Sequence, residues 1–139
     1  MYTERGIAGE GLLSYALYAH DGAPLSLGFP TPAGYVRLNP VASTTDRGVR
    51  GTAQIPLNTW THLATTYDGT SQRFYVNGAL VNTVSSPGAI TQANGALRIG
   101  GNASSTGEFF QGLIDEVRIY SRPLSAAEIT ADMTAPIVR

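Results

Sequence analysis

Few residues in this chain have a type and spacing that suit catalysis. Asp115 and Glu116 are adjacent acids, and His20 and His62 are the only histidines. Glycoside hydrolysis requires two carboxyl groups about 5 to 10 Å apart, flanking one bond. Neighbouring residues of a β-strand point to opposite faces, so Asp115 and Glu116 on a strand do not form such a pair. Both histidines are interpreted as structural or exposed.

Other catalytic and anion-binding patterns are also missing from the sequence. No serine occupies a Gly-x-Ser-x-Gly elbow, and the absence of cysteine removes thiol nucleophiles and thiolate zinc sites. The glycine-rich runs at 9–11 and 100–102 do not precede a predicted helix, where a phosphate loop would need to lie. We therefore predict a protein that is not an enzyme.

Composition bounds the class of protein. The 139 residues suit one domain with its own core, and 42% hydrophobic, 14% charged and 16 glycine residues are typical of a turn-rich sandwich. A net charge of −1 without a basic cluster favours neither nucleic acid nor an anionic membrane surface as a partner. No apolar run approaches the ~20 residues of a membrane span, so membrane insertion is not expected.

The elements that must position any site are mainly strands. A period-two pattern predicts a meander of three strands at 60–67, 72–76 and 79–84, with a two-residue turn at Asn77-Gly78. Further strands are predicted at 12–19, 25–29, 35–38, 51–55, 97–100 and 111–120. Ser125 and Glu128 form a capping-box pattern before the one predicted helix, 126–133. The fold class is therefore all-β, an antiparallel β-sandwich with one short C-terminal helix over residues 1–133, followed by a linker at 134–139.

Four sequence stretches carry a resemblance to a known family. They are Trp-Thr-His-Leu-Ala at 60–64 with Tyr-Asp-Gly at 67–69, Phe-Tyr-Val-Asn-Gly at 74–78, Leu-Arg-Ile-Gly-Gly at 97–101, and the run at 110–120 followed by 122–125 and 128–129. Together they resemble the laminin-G-like, concanavalin-A-like jelly-roll modules of bacterial surface and secreted proteins. The resemblance implies that Trp60, Tyr67 and Phe74 pack in the core. Stacking of Trp60 on a sugar ring is the alternative.

The resemblance also implies that two N-terminal strands are missing and that the domain has a calcium ligand. Such modules usually begin with two further strands, so we expect an N-terminally truncated module whose exposed sheet edge pairs with a partner chain or a second copy. In the modules that this sequence resembles, including laminarinase-like glucanases, an aspartate early in the last strand serves as a calcium ligand. Asp115 matches that position, with pairing to an arginine or to loop amides as the alternative. The Glu-x-Asp-x-Glu run of the laminarinases does not occur here.

The function implied by the resemblance is a non-catalytic module that binds a glycan or an extracellular protein. Polar loops at 40–50, 85–93 and 103–109 could shape the ligand surface, and the aromatic candidates there are Tyr18, Tyr35, Tyr75 and Phe109. The parent protein is expected to be secreted or on the cell surface, with any signal peptide upstream, because the first residues of this sequence lack the apolar core of one. A structural spacer that assembles through sheet edges is the alternative, and a polysaccharide hydrolase is a third.

Overall fold

Strands dominate the computed structural model, which describes residues 2–7, 12–21, 31–39, 47–92, 96–101 and 109–137. The strands in these ranges pair in antiparallel fashion, and this confirms the all-β prediction. The elements are β1 (Tyr2–Ile7), β2 (Leu12–Asp21), β3 (Thr31–Val36), β4 (Leu38–Asn39), β5 (Arg47–Arg50), β6 (Leu63–Tyr67), β7 (Ser71–Val76), β8 (Ala79–Ser85), β9 (Ala89–Ile90), β10 (Leu97–Ile99) and α1 (Ala126–Thr134).

Two sheets pack face to face to form the sandwich. One has the strand order β10-β1-β2-β3-β5, the other β6-β7-β8, and β4 pairs with β9 as a small third sheet. The buried core draws on both large sheets, with Ala19 and Val49 from the first and Leu63 and Phe74 from the second. Burial of these apolar side chains between the sheets is the main stabilising term of the fold.

The hairpin between β7 and β8 forms as its sequence predicts. Asn77 and Gly78 have φ angles of 50° and 78°, the positive values that a two-residue turn of this type requires. Phe74 is fully buried at 0% exposure, which confirms its assignment to the core. The hydroxyl of half-buried Tyr67 donates to the carbonyl oxygen of Ser86 at 2.8 Å.

Helix α1 begins with the predicted capping box. The Glu128 backbone N–H donates to Ser125 Oγ, and the Ser125 backbone N–H donates to Glu128 Oε2 at 2.8 Å. These bonds satisfy donors that a helix N-terminus leaves open. On the buried face of the helix, Ile129 is 2% exposed. Within the described ranges, no helix has the length and apolar character that a membrane span requires.

Several predicted elements are wrong. Residues 111–120 form no strand, because no described strand pairs with them and Glu116 has a φ of 52°, which interrupts the extended run. The strand predicted at 51–55 lies instead at 47–50, and the strand predicted at 35–38 is divided between β3, which begins at Thr31, and β4. Trp60 is 66% exposed and not in the core, because β6 begins only at Leu63. The strand predicted at 25–29 lies outside the described residues.

Candidate functional site

The outer face of the five-stranded sheet carries the candidate site. On β2 and β5, Ala19 and Val49 point into the core, so the alternate residues Tyr18, Gly48 and Arg50 point away from it. Residues directly opposite each other in an antiparallel pair share one face. The register of the three neighbouring strands therefore decides which outward side chains meet.

Large and small residues alternate across this outer face in two rows. In one row, Tyr35 of β3 lies between Ala16 and Gly48. In the next row, Ala33 of β3 lies between Tyr18 and Arg50. Each large side chain thus has a small neighbour over which it can spread. We call the group formed by Tyr18, Tyr35 and Arg50 the outer-face cluster.

The three members of the outer-face cluster contact one another. The rings of Tyr18 and Tyr35 meet edge to face, with 5.4 Å between centroids and 82° between planes. The Arg50 guanidinium carbon lies 5.7 Å from the centre of the Tyr35 ring, and Arg50 Nη2 donates to the Tyr35 hydroxyl. Edge-to-face pairing and a cation over a ring are both favourable arrangements. All three side chains are half-buried, so part of each faces outward.

Glycine at position 48 makes room for the Tyr35 ring. A Cβ atom built on Gly48 would lie 2.5 Å from Cε1 of Tyr35, closer than packed atoms approach. The backbone of Arg50 is held by β8 of the other sheet, because Asn82 Nδ2 donates to the Arg50 carbonyl oxygen at 2.9 Å. Neither Gly48 nor Arg50 was among the site residues predicted from the sequence; the alternation of residues 47–50 around Val49 was the available signal.

Of the four aromatic residues predicted to contact a ligand, the structure brings two together. Tyr18 and Tyr35 join in the outer-face cluster. Tyr75 lies on β7 in the other sheet and is only 3% exposed, so it offers almost no surface to a ligand. Phe109 is 74% exposed and lies at an isolated bridge to Gly101.

Asp115 and Glu116 lie in the irregular segment that precedes α1. Asp115 Oδ1 accepts the Glu116 backbone N–H at 2.9 Å, and Glu116 Oε2 accepts from Arg118 Nη2 and from the Ile137 backbone N–H, each at 2.9 Å. Over the described ranges, no group of three or more histidine or acidic side chains is placed to hold a metal ion. A calcium ion takes six to eight oxygen ligands, which include backbone carbonyls and water as well as carboxylates. Asp115 as a calcium ligand stays a prediction.

A second feature is an apolar cavity of about 720 Å³ beside β6. All five residues of β6 line it, and the opposite wall comes from residues 113–124. His62 also lines this cavity, and burial is the main cause that lowers its pKa, with a smaller lowering by Arg118 and an opposing effect of Asp132. A neutral imidazole has one ring nitrogen as an acceptor, so His62 adds a polar atom to a largely apolar lining.

Two packed antiparallel sheets, closed by a short C-terminal helix, place the chain in the β-sandwich class. A family model described as the concanavalin A-like lectin/glucanases superfamily, of laminin G type, matches residues 10–130. The chain belongs to this superfamily.

A solved structure shares the fold. It is an S-layer domain-containing protein from Clostridium thermocellum (residues 221–444), with a TM-score of 0.50 and 18% identity. The match covers 77% of this chain and 53% of that one, so this chain spans about half of its length. No match was found among curated proteins.

Proposed function

We propose that this domain is a non-catalytic module that binds a glycan on the outer-face cluster of Tyr18, Tyr35 and Arg50. The observation that carries the proposal is the contact of two half-buried tyrosine rings and a guanidinium on the outer face of one sheet. An aromatic ring offers an apolar face to the apolar side of a pyranose, and an arginine donates hydrogen bonds to hydroxyl oxygens. This combination of apolar contact and a few fixed donors is typical of small-ligand sites.

The binding role is favoured over catalysis by the placement of the acids. The Asp115 carboxylate accepts the Glu116 backbone N–H, and the Glu116 carboxylate accepts from Arg118. Neither acid belongs to the outer-face cluster. Superfamily membership covers lectins and glucanases alike, so the choice between them rests on the site. The extracellular location of the parent protein is part of this proposal and is supported by the superfamily.

A glycan array tests the proposal. The purified protein, shown to be folded and of defined size, is applied once with millimolar calcium and once with a chelator. We expect binding to a defined set of glycans in both conditions, because the cluster contains no metal ligand. Binding that disappears with the chelator would instead bring calcium and Asp115 into the site. A folded protein that binds no glycan in either condition would contradict the proposal.

A further inference from the structure

Among the described strands, the three-stranded sheet has an open edge at β6. In the strand order β6-β7-β8, β6 has one described neighbour. The Asn77 N–H donates to the His62 carbonyl oxygen, and the Asp68 N–H donates to the Ser71 carbonyl oxygen. Residues 62 and 68 are thus hydrogen-bonded to β7, and in an antiparallel ladder such positions alternate. Leu63, Thr65 and Tyr67 therefore direct their backbone N–H and C=O groups away from β7, toward the open edge.

The cavity beside this edge has about the volume of a short strand. Neighbouring strands lie about 4.8 Å apart, packed sheets about 10 Å apart, and each residue adds about 3.3 Å, so a strand residue fills about 160 Å³. The 720 Å³ cavity therefore holds about four to five residues. This length matches the five residues of β6.

The lining of the cavity indicates what would fill it. Exposed apolar side chains surround the opening: Trp60, Ile90, Leu113, Ile119, Tyr120 and Met133. Exposed apolar side chains gathered at one cavity indicate an interaction site. Two polar atoms in the lining, His62 Nδ1 and Thr66 Oγ1, are buried without a hydrogen-bond partner in the described part of the chain. Buried polar atoms are normally satisfied, so a partner that enters the cavity should supply hydrogen bonds as well as apolar contact.

We propose that the β6 edge binds a β-strand donated by another polypeptide, with apolar residues at alternate positions. The strand pairs with Leu63, Thr65 and Tyr67 through its backbone and covers the exposed side chains of the cavity, the mode of recognition in which a strand is added to a sheet edge. A second copy of this chain is a poorer donor. Its segment 111–122, which has no strand partner in the described ranges, is interrupted by the positive φ of Glu116 and is fixed to its own α1 by Arg118 and Tyr120.

Peptide titration tests this proposal on the full 139-residue chain. The probe is a capped peptide of about eight residues in which valine or isoleucine alternates with threonine. Its control has the same length with two central residues replaced by proline, which removes backbone donors. Trp60 is the one tryptophan of the sequence, lines the cavity and is 66% exposed. We therefore expect a saturable blue shift of its fluorescence with the alternating peptide and none with the proline peptide.

Amide hydrogen exchange locates the bound strand. With peptide, the amides of Leu63, Thr65 and Tyr67 should exchange at least about tenfold more slowly, whereas those of Ala64 and Thr66 are already protected by β7.

In a matched pair of variants, Leu113→Ser should weaken peptide binding about tenfold, because Leu113 lines the cavity. Leu57→Ser, at an 89% exposed leucine outside the lining, should not change it.

Three results would overturn the proposal. One is the absence of a saturable shift up to about 1 mM peptide in a folded protein. Another is protection that appears at the β8 edge and not at β6. The third is concentration-dependent dimerisation without peptide that protects Leu63, Thr65 and Tyr67, which would assign the edge to a second copy.

Discussion

The ring of Tyr18 meets the ring of Tyr35 edge to face across the β2–β3 pair, 5.4 Å from centroid to centroid. The two residues are not directly opposite, since Tyr18 pairs with Ala33 and Tyr35 with Ala16. The rings meet on the diagonal between these pairs, where long aromatic side chains still reach each other. Together with Arg50 they form one continuous surface.

Removal of the Tyr35 ring should weaken glycan binding. An aromatic contact contributes about 0.5–1.5 kcal/mol, so Tyr35→Ala is expected to lower affinity roughly two- to tenfold in a calorimetric titration with a glycan selected on the array. Phe109→Ala is the control, since Phe109 is 74% exposed and outside the cluster. Equal losses in both variants would show that general exposed aromatic surface, not the cluster, binds the glycan.

Gly48→Ala should impair the same site by displacing the ring. The new methyl group would lie 2.5 Å from Cε1 of Tyr35, so the ring must move and the free energy of unfolding should fall by about 1–3 kcal/mol. Gly51→Ala is a matched control, because its methyl group would crowd Pro32 at 2.8 Å and not the cluster. We expect Gly51→Ala to lose stability yet retain affinity. If folded Gly48→Ala binds the glycan with unchanged affinity, the position of the Tyr35 ring does not matter for binding, and the prediction is contradicted.

Local features of the fold could be predicted from the sequence. The turn at Asn77 and Gly78 depends on two residues that tolerate positive φ, and the helix start depends on Ser125 and Glu128. Each of these interactions spans at most three positions of chain. Their physical cause is therefore contained in the sequence pattern itself.

Features that depend on a distant partner could not be predicted in this way. Residues 111–120 alternate like a strand, but a strand also needs a neighbour, and none of the described strands pairs with them. Trp60 was expected in the core and is 66% exposed for a related reason, since it borders the open cavity beside β6. The meeting of Tyr18 with Tyr35 depends on strand register, which the 16 residues of intervening sequence do not reveal.

The contacts of Glu128 with Arg122 and with its capping-box partner Ser125 should make stability depend on pH in the acidic range. Hydrogen bonds from Arg122 and Ser125 lower the pKa of Glu128 from 4.5 to about 2. A carboxyl group with a lowered pKa stabilises the fold above its unfolded value, and the contribution is lost as pH falls through the folded value. Between pH 4.5 and 2, the melting temperature of the wild type should therefore fall more steeply than that of Glu128→Gln. Parallel curves of melting temperature against pH would contradict this assignment.

Arg118 should hold the 111–122 segment against helix α1. Its guanidinium pairs with Asp132 at 2.7 Å and with Glu116 at 2.9 Å, and its side chain is only 17% exposed. Arg118→Ala leaves two acids without this partner, so we expect a loss of about 1–3 kcal/mol in the free energy of unfolding and faster amide exchange across the segment.

Arg122→Ala is the matched control for Arg118→Ala. Arg122 pairs with Glu128 at 2.7 Å, but its side chain is 61% exposed, and exposed ion pairs contribute little to stability. Denaturant unfolding should therefore separate the two variants. Equal stability of Arg118→Ala and Arg122→Ala would exclude Arg118 as the anchor of the segment.

The location of the bound glycan is tested most directly by chemical-shift mapping. A glycan selected on the array is titrated into the isotope-labelled protein, and the backbone amide and tyrosine ring signals are followed. We predict that the largest shifts fall on Tyr18, Tyr35 and Arg50 and on their strand neighbours Ala33 and Gly48. Saturable shifts at other positions, with these five residues unmoved, would contradict the outer-face cluster as the binding site.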